Sequence, residues 1–431
     1  MLAWLDFDSG AMARAHELLQ QFRDARTLDH LRLGGVRDDF ANHFFPATST
    51  IMPHARYLIL VPRAFLQLEA ETRKKGYSFQ QAVERLDDIE ASQAKELIVE
   101  LAKRLRKRES DRSDLEGSGI IGWDKLRETK GAEFVSQTPS NSYWASMRKL
   151  QIRIPKGSRE SYIRDIVTRA RNKSARSGVP EEEAIGLESI IWNKDALELA
   201  KDASACLEFS EKQAKFIHRQ YVGLDSLMSR LLAVPAKQIK TKADLSEFGY
   251  VWDYPLPPSD GPIVESSRRL SALIQGANLL YGTMVANEYD LEDHEDFNDW
   301  RPALDEWFDS LESELGSKCA KRVEWAPIAA VCKDRSLDLQ FLKEIQANLK
   351  SARSSSDFLS SCGPLVTRRE QRVKMVSYRL GRIKGAGVAD KKKFRERVLR
   401  QPVRLTQAPD FRWGMASEFM WNINSGLGVW G

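Results

Sequence analysis

The stretch FPATSTIMPHARYLILVP, residues 45–62, combines three prolines, a Thr-Ser-Thr cluster, His54 and Arg56 in front of an apolar run. An imidazole and a guanidinium two residues apart are groups that move protons and stabilise phosphate, so the stretch is a candidate catalytic loop. A nucleophile and base pair does not accompany them. Pro53 suits the first turn of a helix, and Thr48, Ser49 and Thr50 supply hydroxyls for its N–H groups. We therefore predict a stiff joint that leads into a helix kinked at Pro62.

A second pair of chemical groups is Arg37 and His43, which are separated by five residues in VRDDFANHFF. This spacing resembles the Arg-x(4–6)-His pattern of helical, HEPN-like ribonucleases. The resemblance implies that His43 is the acid/base and that Arg37 stabilises phosphate. The alternative is a histidine that packs against or caps the end of its helix, and we favour that alternative.

Other catalytic and metal-binding patterns are missing from the sequence. The chain has no Walker loop, no dinucleotide fingerprint, and no GxSxG or HExxH motif. His294 in EDHEDFND could hold a hard cation, but the spacing is not that of an EF-hand, and a solvated acidic loop is the alternative. The four cysteines form no CxxC pair. We predict no catalytic residue, no cofactor and no metal site.

Charge is distributed unevenly along the chain. Residues 143–176 hold ten Lys or Arg against two acids, a net charge of +8, and residues 365–412 hold fifteen against four, a net charge of +11. Residues 288–314 hold twelve acids and one Arg, a net charge of −11. Solvated helix faces would also give such runs, but the contrast favours a basic surface for a polyanion and an acidic surface for a basic partner.

The first basic run lies in a segment with helix-turn-helix features. Two short helices are predicted in GWDKLRETKG and in PSNSYWASMRKLQI, followed by an Ile-Arg-Ile edge. Together they predict a winged-helix or helix-turn-helix unit, with a generic helical hairpin as the alternative. Ser140 would cap the second helix, and Asn141, Arg148 and Lys149 would project outward from it.

Helical periodicity dominates the remaining sequence and little of it is typical of strands. We predict a mostly α, multi-helical fold with few short strands. Boundaries are predicted at the Gly/Ser-rich residues 109–122, at the proline-rich residues 250–262 and at SARSSSDFLSSCGP, residues 351–364. The predicted parts are an N-terminal helical domain 1–108, a basic helix-turn-helix-like unit 118–180, a central helical domain 181–350 containing the acidic segment 288–314, and a basic C-terminal helical region 363–431.

The N-terminus MLAWLDFDSG carries two acids and no basic residue, which is not typical of a signal peptide. No apolar run approaches the roughly 18 residues of a membrane span. The expected location is the cytoplasm, with no membrane partner.

Six blocks resemble an uncharacterised bacterial family whose domain has no known function. They are MLAWLDF, VRDDFANHFFPATSTIMPHARYLILVP, GIIGW with PSNSYWASMRKLQIR, GANLLYG, TRREQRVKMVSYRL and DFRW, spread over the whole chain. The resemblance implies an accessory role in antiphage defence, beside helicase-like and phospholipase-D-like gene products. It supplies no catalytic residues. At Gly282 the chain departs from the family, where the resemblance implies Asn.

The sequence therefore predicts a non-enzymatic, nucleic-acid-binding accessory subunit of a multi-subunit bacterial defence complex. DNA is the expected nucleic acid, and the acidic segment would dock a basic partner such as a helicase or phospholipase-D-like subunit. The alternatives are the ribonuclease that uses Arg37 and His43 and a scaffold that binds only protein. The predicted phosphate contacts are Arg148, Lys149, Arg153, Arg368, Arg369, Arg372, Arg379, Arg382, Lys391, Lys392 and Lys393.

Overall fold

The computed structural model describes residues 31–107, 119–154, 157–175, 192–288, 299–311, 318–379 and 408–431. These residues are mostly helical, which confirms the predicted fold class. Extended pairing within them is confined to one isolated antiparallel bridge, between Arg153 and Trp192. A winged-helix unit is not shown.

Seventeen helices are defined among the described residues, and the first ten lie before residue 250. They are α1 Gly34–Phe44, α2 Tyr57–Lys75, α3 Phe79–Lys107, α4 Trp123–Glu128, α5 Pro139–Lys149, α6 Arg159–Ala175, α7 Lys194–Lys201, α8 Glu211–Val222, α9 Leu227–Ala233 and α10 Lys242–Ser246. The others are α11 Gly261–Glu288, α12 Trp300–Ser310, α13 Lys318–Lys321, α14 Trp325–Val331, α15 Ser336–Ser351, α16 Ser355–Arg379 and α17 Trp413–Gly426.

The chain divides into two compact units, each assembled from separate stretches of sequence. One unit combines residues 1–41 with 256–411, and the other combines residues 42–255 with 412–431. The division after residue 255 lies within the proline-rich segment at 250–262. Each unit therefore draws on several of the four parts predicted from the sequence.

Helix α2 is the central element of the unit formed by residues 42–255 and 412–431. It packs against α3, α5, α6 and α7. Its first half is buried on every side, because the five residues from Tyr57 to Val61 are all at most 3 % exposed. Pro62 lies inside the helix. An apolar run with no solvent-facing side is typical of a helix at the centre of a core.

An aromatic cluster joins α2 to the helices around it. Phe65 of α2 lies with its ring centroid 5.3 Å from those of Trp144 of α5 and Tyr162 of α6, and 5.8 Å from that of Trp192. Each of these rings is buried. Trp144 thus belongs to the core, and the cluster fixes α5 and α6 on α2.

Helix α11 is the central element of the other unit, where it packs against α12, α13, α14, α15 and α16. Two of its glycines provide the space for indole rings. A Cβ atom at Gly276 would overlap the ring of Trp307, and one at Gly282 would overlap the ring of Trp300. The two glycines therefore allow α12 to lie close to α11.

The segment predicted as a boundary at residues 351–364 is largely helical. Residues 351–364 contain six serines and Pro364, yet α16 begins at Ser355 and continues through Pro364 to Arg379. The reason is a buried stripe at helical spacing, formed by Phe358, Cys362 and Val366. Burial of this stripe outweighs the weak helix preference of the serines.

Within the described ranges, none of the helices combines the length and the apolar character needed to cross a bilayer.

Candidate nucleic-acid interface

The last turn of α5 presents two exposed cations, Arg148 and Lys149. Pro139 begins the helix at a position where its missing N–H is not needed. Thr138 is the N-cap, and Ser140, the predicted cap, is instead fully buried. The helix ends before Gln151, whose φ of 53° turns the chain sharply. Arg148 and Lys149 therefore lie at the exposed end of a helix whose other end is buried.

Arg153 follows this turn and is placed differently from the predicted phosphate contact. It is only 4 % exposed, and its guanidinium carbon lies 4.2 Å from the ring centroid of Trp144. Burial, together with the positive charge of Arg148, lowers the pKa of Arg153 to about 10. Arg153 thus contributes positive charge from beneath the surface rather than a side chain that reaches outward.

Further exposed cations, which the sequence reasoning missed, lie on the next helix. Arg164 and Arg171 of α6 are both exposed, and Arg164 lies 4.0 Å from the ring centroid of Phe79. Their spacing of seven residues places them within about 20° of each other around the helix. This spacing, inside a stretch of net charge +8, was the signal available in the sequence.

The C-terminal basic region is described only in part. Arg368 is exposed on α16, whereas Arg369 is half-buried, pairs with Asp338 and donates from Nε to the carbonyl oxygen of Leu31 over 3.0 Å. Arg372 and Arg379 also belong to α16. Their positions in the sequence place their Cα atoms within about 40° of that of Arg368 around the helix axis. Arg382, Lys391, Lys392 and Lys393 lie outside the described residues.

The acidic segment 288–314 is likewise described in part, mainly as α12. There Arg301 pairs with Asp305, with Nε and Oδ1 3.1 Å apart. His294 lies outside the described residues. In the part of the chain that the structure describes, no group of three or more His, Cys, Asp or Glu side chains converges as metal ligands would.

Arg37 and His43, the ribonuclease alternative, both lie on α1 and are both exposed. A separation of six residues on an α-helix places the two positions about 120° apart around the axis and about 9 Å apart along it. Arg37 lies beside Asp38, with Nε and Oδ1 3.8 Å apart, and the ring of His43 lies near Phe44. The two side chains therefore start from different faces of α1.

The stretch at residues 45–62 forms a joint, and its polar groups are occupied by backbone contacts. Thr48 donates its hydroxyl proton to the carbonyl oxygen of Phe45 over 2.6 Å. The helix begins at Tyr57, later than predicted, so Pro53 precedes it and the Thr-Ser-Thr cluster does not cap it. The backbone N–H of Ala55 donates to Oδ1 of Asn422 on α17 over 2.9 Å.

His54 lies inside this joint as a neutral acceptor. Its Nδ1 accepts the backbone N–H of Arg56 over 3.1 Å, and its carbonyl oxygen accepts the hydroxyl of Tyr143 over 2.8 Å. Burial, followed by the charges of Lys242 and Arg56, lowers the pKa of His54 to about 3. At neutral pH this imidazole is therefore uncharged and accepts a hydrogen bond from the backbone.

Arg56 is 1 % exposed and clamps a distant loop with neutral acceptors. Its Nε donates to the carbonyl oxygen of Cys206 over 3.0 Å, its Nη2 donates to that of Ser204 over 3.2 Å, and its Nη1 donates to Oε1 of Gln213. Burial is the main reason that the pKa of Arg56 is lowered. His54 and Arg56, the two groups that made this stretch a candidate catalytic loop, thus both hold the backbone of the fold.

A cleft of about 590 Å³ runs along α3 beside the loop at residues 204–206. Lysines and glutamates alternate along it, and Arg104 pairs there with both Glu100 and Glu208. Because both signs of charge line it, the cleft does not define an anion site.

These features define an all-α protein with exposed cations at the end of α5 and on α6 and α16. The chain belongs to a family of unknown function, DUF6361, whose sequence model matches residues 1–300. The predicted membership of a family of unknown function is confirmed over this range, which leaves the blocks TRREQRVKMVSYRL and DFRW beyond it. No curated protein and no solved structure matches the chain.

Proposed function

We propose that this protein is a non-enzymatic subunit that binds the phosphate backbone of nucleic acid, DNA in the first instance. The observation that carries the proposal is the pair Arg148 and Lys149, exposed at the end of α5 within a stretch of net charge +8. Contacts of this kind give affinity without sequence preference, because every phosphate offers the same oxygens.

The positive charges around the turn after α5 support the binding of an anion there. The pKa of Arg153 is lowered mainly by burial and, to a smaller extent, by the like charge of Arg148, so the two cations repel each other at the turn. A phosphate beside Arg148 and Lys149 would offset that repulsion. Arg164, Arg171 and Arg368 extend the set of exposed cations.

The finer parts of the proposal concern context. The protein would act in a bacterial antiphage defence complex, and the acidic segment 288–314 would dock a basic partner such as a helicase or phospholipase-D-like subunit. Co-purification with the products of neighbouring genes, followed by charge reversal within that segment, tests this docking. Retention of the partner by the reversed variant would contradict it.

Fluorescence anisotropy with duplex DNA, single-stranded DNA and RNA over a salt series tests the binding itself. For duplex DNA, the slope of log K against log salt divided by ~0.9 gives the number of phosphates neutralised. The double variant Arg148→Glu with Lys149→Glu should reduce this slope by roughly 2, about one for each phosphate that is no longer neutralised.

The matched control is Lys212→Glu with Lys215→Glu on α8, where both lysines are exposed and the change in net charge is the same. The control should leave the slope unchanged. Equal losses in the two variants would show that only total charge matters and would refute a local site. Absence of nucleic-acid binding at low salt would refute the proposal and favour the alternative of a scaffold that binds only protein.

An RNA cleavage assay distinguishes the ribonuclease alternative from the proposed non-enzymatic binding subunit. If wild-type protein cleaves RNA and His43→Ala abolishes cleavage without unfolding, the protein is an enzyme and the proposal is wrong.

A further inference from the structure

A buried carboxyl group fastens the start of the helix that carries Arg148 and Lys149. Glu90 of α3 is 1 % exposed and lies against the first turn of α5, fifty residues further along the chain. Its Oε1 accepts the backbone N–H of Ser140 over 2.6 Å, and its Oε2 accepts the hydroxyl of Ser140 over 2.9 Å. This side chain attaches the N-terminal end of α5 to α3.

The surroundings of Glu90 are polar but do not place a cation on it. Arg159 of α6 donates from Nη1 to the hydroxyls of Ser140 and Thr138, over 2.9 and 3.4 Å, rather than to the carboxyl group. Asp87, one turn earlier on α3, lies 3.7 Å from the same Nη1 of Arg159. On α2, burial and, to a smaller extent, the charge of Glu90 raise the pKa of the Tyr57 phenol.

A fully buried carboxylate that receives only neutral donors is costly to ionise. Burial accordingly raises the pKa of Glu90 to about 7, while the hydrogen bonds from Ser140 and Thr138 and the charge of Arg159 act in the opposite direction. Burial likewise raises the pKa of Asp87. Two carboxyl groups and one guanidinium therefore share a site in which a proton is favoured.

We propose that Glu90 is a proton-sensitive latch on α5, which holds the first turn of the helix when protonated and loosens it when ionised. In the folded protein the carboxyl group binds its proton more tightly than in an opened state, where an ordinary value of 4.5 applies. The latch therefore stabilises the closed state fully below pH 4.5, and this stabilisation is lost as the pH rises through about 7.

Hydrogen exchange of the amides in the first turns of α5 measures the latch directly. Protection, taken relative to the intrinsic exchange rate at each pH, should fall by tenfold to roughly a hundredfold as the pH rises from about 5 to about 8. Glu90→Gln mimics the protonated group and should abolish this fall. Glu84→Gln, an exposed change on the same helix, should retain it.

Protection that does not change with pH in the wild type, or the same fall in Glu90→Gln, would refute the latch. If Glu90→Gln does not fold, Ser140→Ala replaces it, because removal of one donor to the anion should move the fall in protection to higher pH. An unmoved or lowered midpoint in that variant would refute the latch equally.

The consequence for binding rests on the proposed function. Anisotropy at fixed salt should show affinity for duplex DNA weakening several-fold between about pH 6 and pH 8 in Glu84→Gln and not in Glu90→Gln. Both variants contain the same histidines, so a difference between their pH dependences of DNA affinity is due to Glu90. Absence of DNA binding would refute the proposed function and leave the exchange result to decide on the latch.

Discussion

At the scale of single residues, the polar groups of the joint at 45–62 act on the backbone of their own unit. His54 accepts an N–H through Nδ1, and the buried guanidinium of Arg56 donates to three acceptors, of which Gln213 is buried. Such groups specify where the chain turns, because each has a single geometry in which its hydrogen bonds are satisfied.

His54 makes the stability of its unit sensitive to acid. Its pKa is about 3 in the folded protein, where burial disfavours the charged form, and 6.5 is the ordinary value. The stabilisation is therefore complete above pH 6.5 and is lost at about 1.4 kcal/mol per pH unit as the pH falls below it. His54→Asn keeps an acceptor near the position of Nδ1 and should unfold less steeply with acid, as thermal unfolding between about pH 4 and pH 7 would show. An identical acid dependence in both proteins would contradict this account.

Arg56→Met should destabilise the same unit by about 1–3 kcal/mol, since the buried side chain of Gln213 and two partly buried carbonyls lose a charged donor. The carbonyls of Ser204 and Cys206 and the amide of Gln213 are those acceptors. Arg148→Met, at an exposed position, should change stability by less than about 0.5 kcal/mol. Calorimetric melting of both variants provides the comparison, and equal melting temperatures would refute the clamp.

At the scale of helices, the contact of α11 with α12 depends on glycine. Gly282→Ala should destabilise the protein by about 2 kcal/mol or more, because the new Cβ overlaps the ring of Trp300. Gly363→Ala on α16 is the matched control. Its nearest neighbour is Met284 Cε at 3.8 Å, so the change should stabilise the helix by roughly 0.5–1 kcal/mol. Chemical denaturation of both variants should give shifts of opposite sign, and shifts of the same sign would contradict the packing.

Periodicity predicted the mostly helical fold, and the predicted helix in PSNSYWASMRKLQI corresponds to α5, Pro139–Lys149. Predictions from local composition failed where contacts with distant parts of the chain determine the secondary structure. The serine-rich residues 351–364 are helical because Phe358 and its neighbours are buried, and Ser140 does not cap α5 because Glu90 holds it. A partner fifty residues away leaves no local trace in sequence. Of the candidate interface, the exposure of Arg148 and Lys149 followed from helical spacing, whereas the burial of Arg153 depends on the position of Trp144.

At the scale of the whole molecule, the three cysteines whose side chains the structure describes differ in accessibility between the two units. Cys332 and Cys362 are buried in the unit formed by residues 1–41 and 256–411, and burial raises the pKa of each to about 12. Cys206 of the other unit is half-buried. Iodoacetamide at about pH 8 should therefore modify Cys206 in the native protein and spare Cys332 and Cys362 until their unit unfolds. Mass spectrometry of the labelled peptides checks the order, and early labelling of Cys362 would contradict it.

The indole of Trp300 over Gly282 also has a consequence for the history of the family. A larger side chain at 282, including the Asn expected there from the family resemblance, leaves no room for an indole at 300. We therefore expect these two positions to evolve as a pair, with relatives that carry Asn at the first carrying a smaller residue at the second. An aligned set of relatives that combines Asn with Trp would show that α12 takes a different path in them.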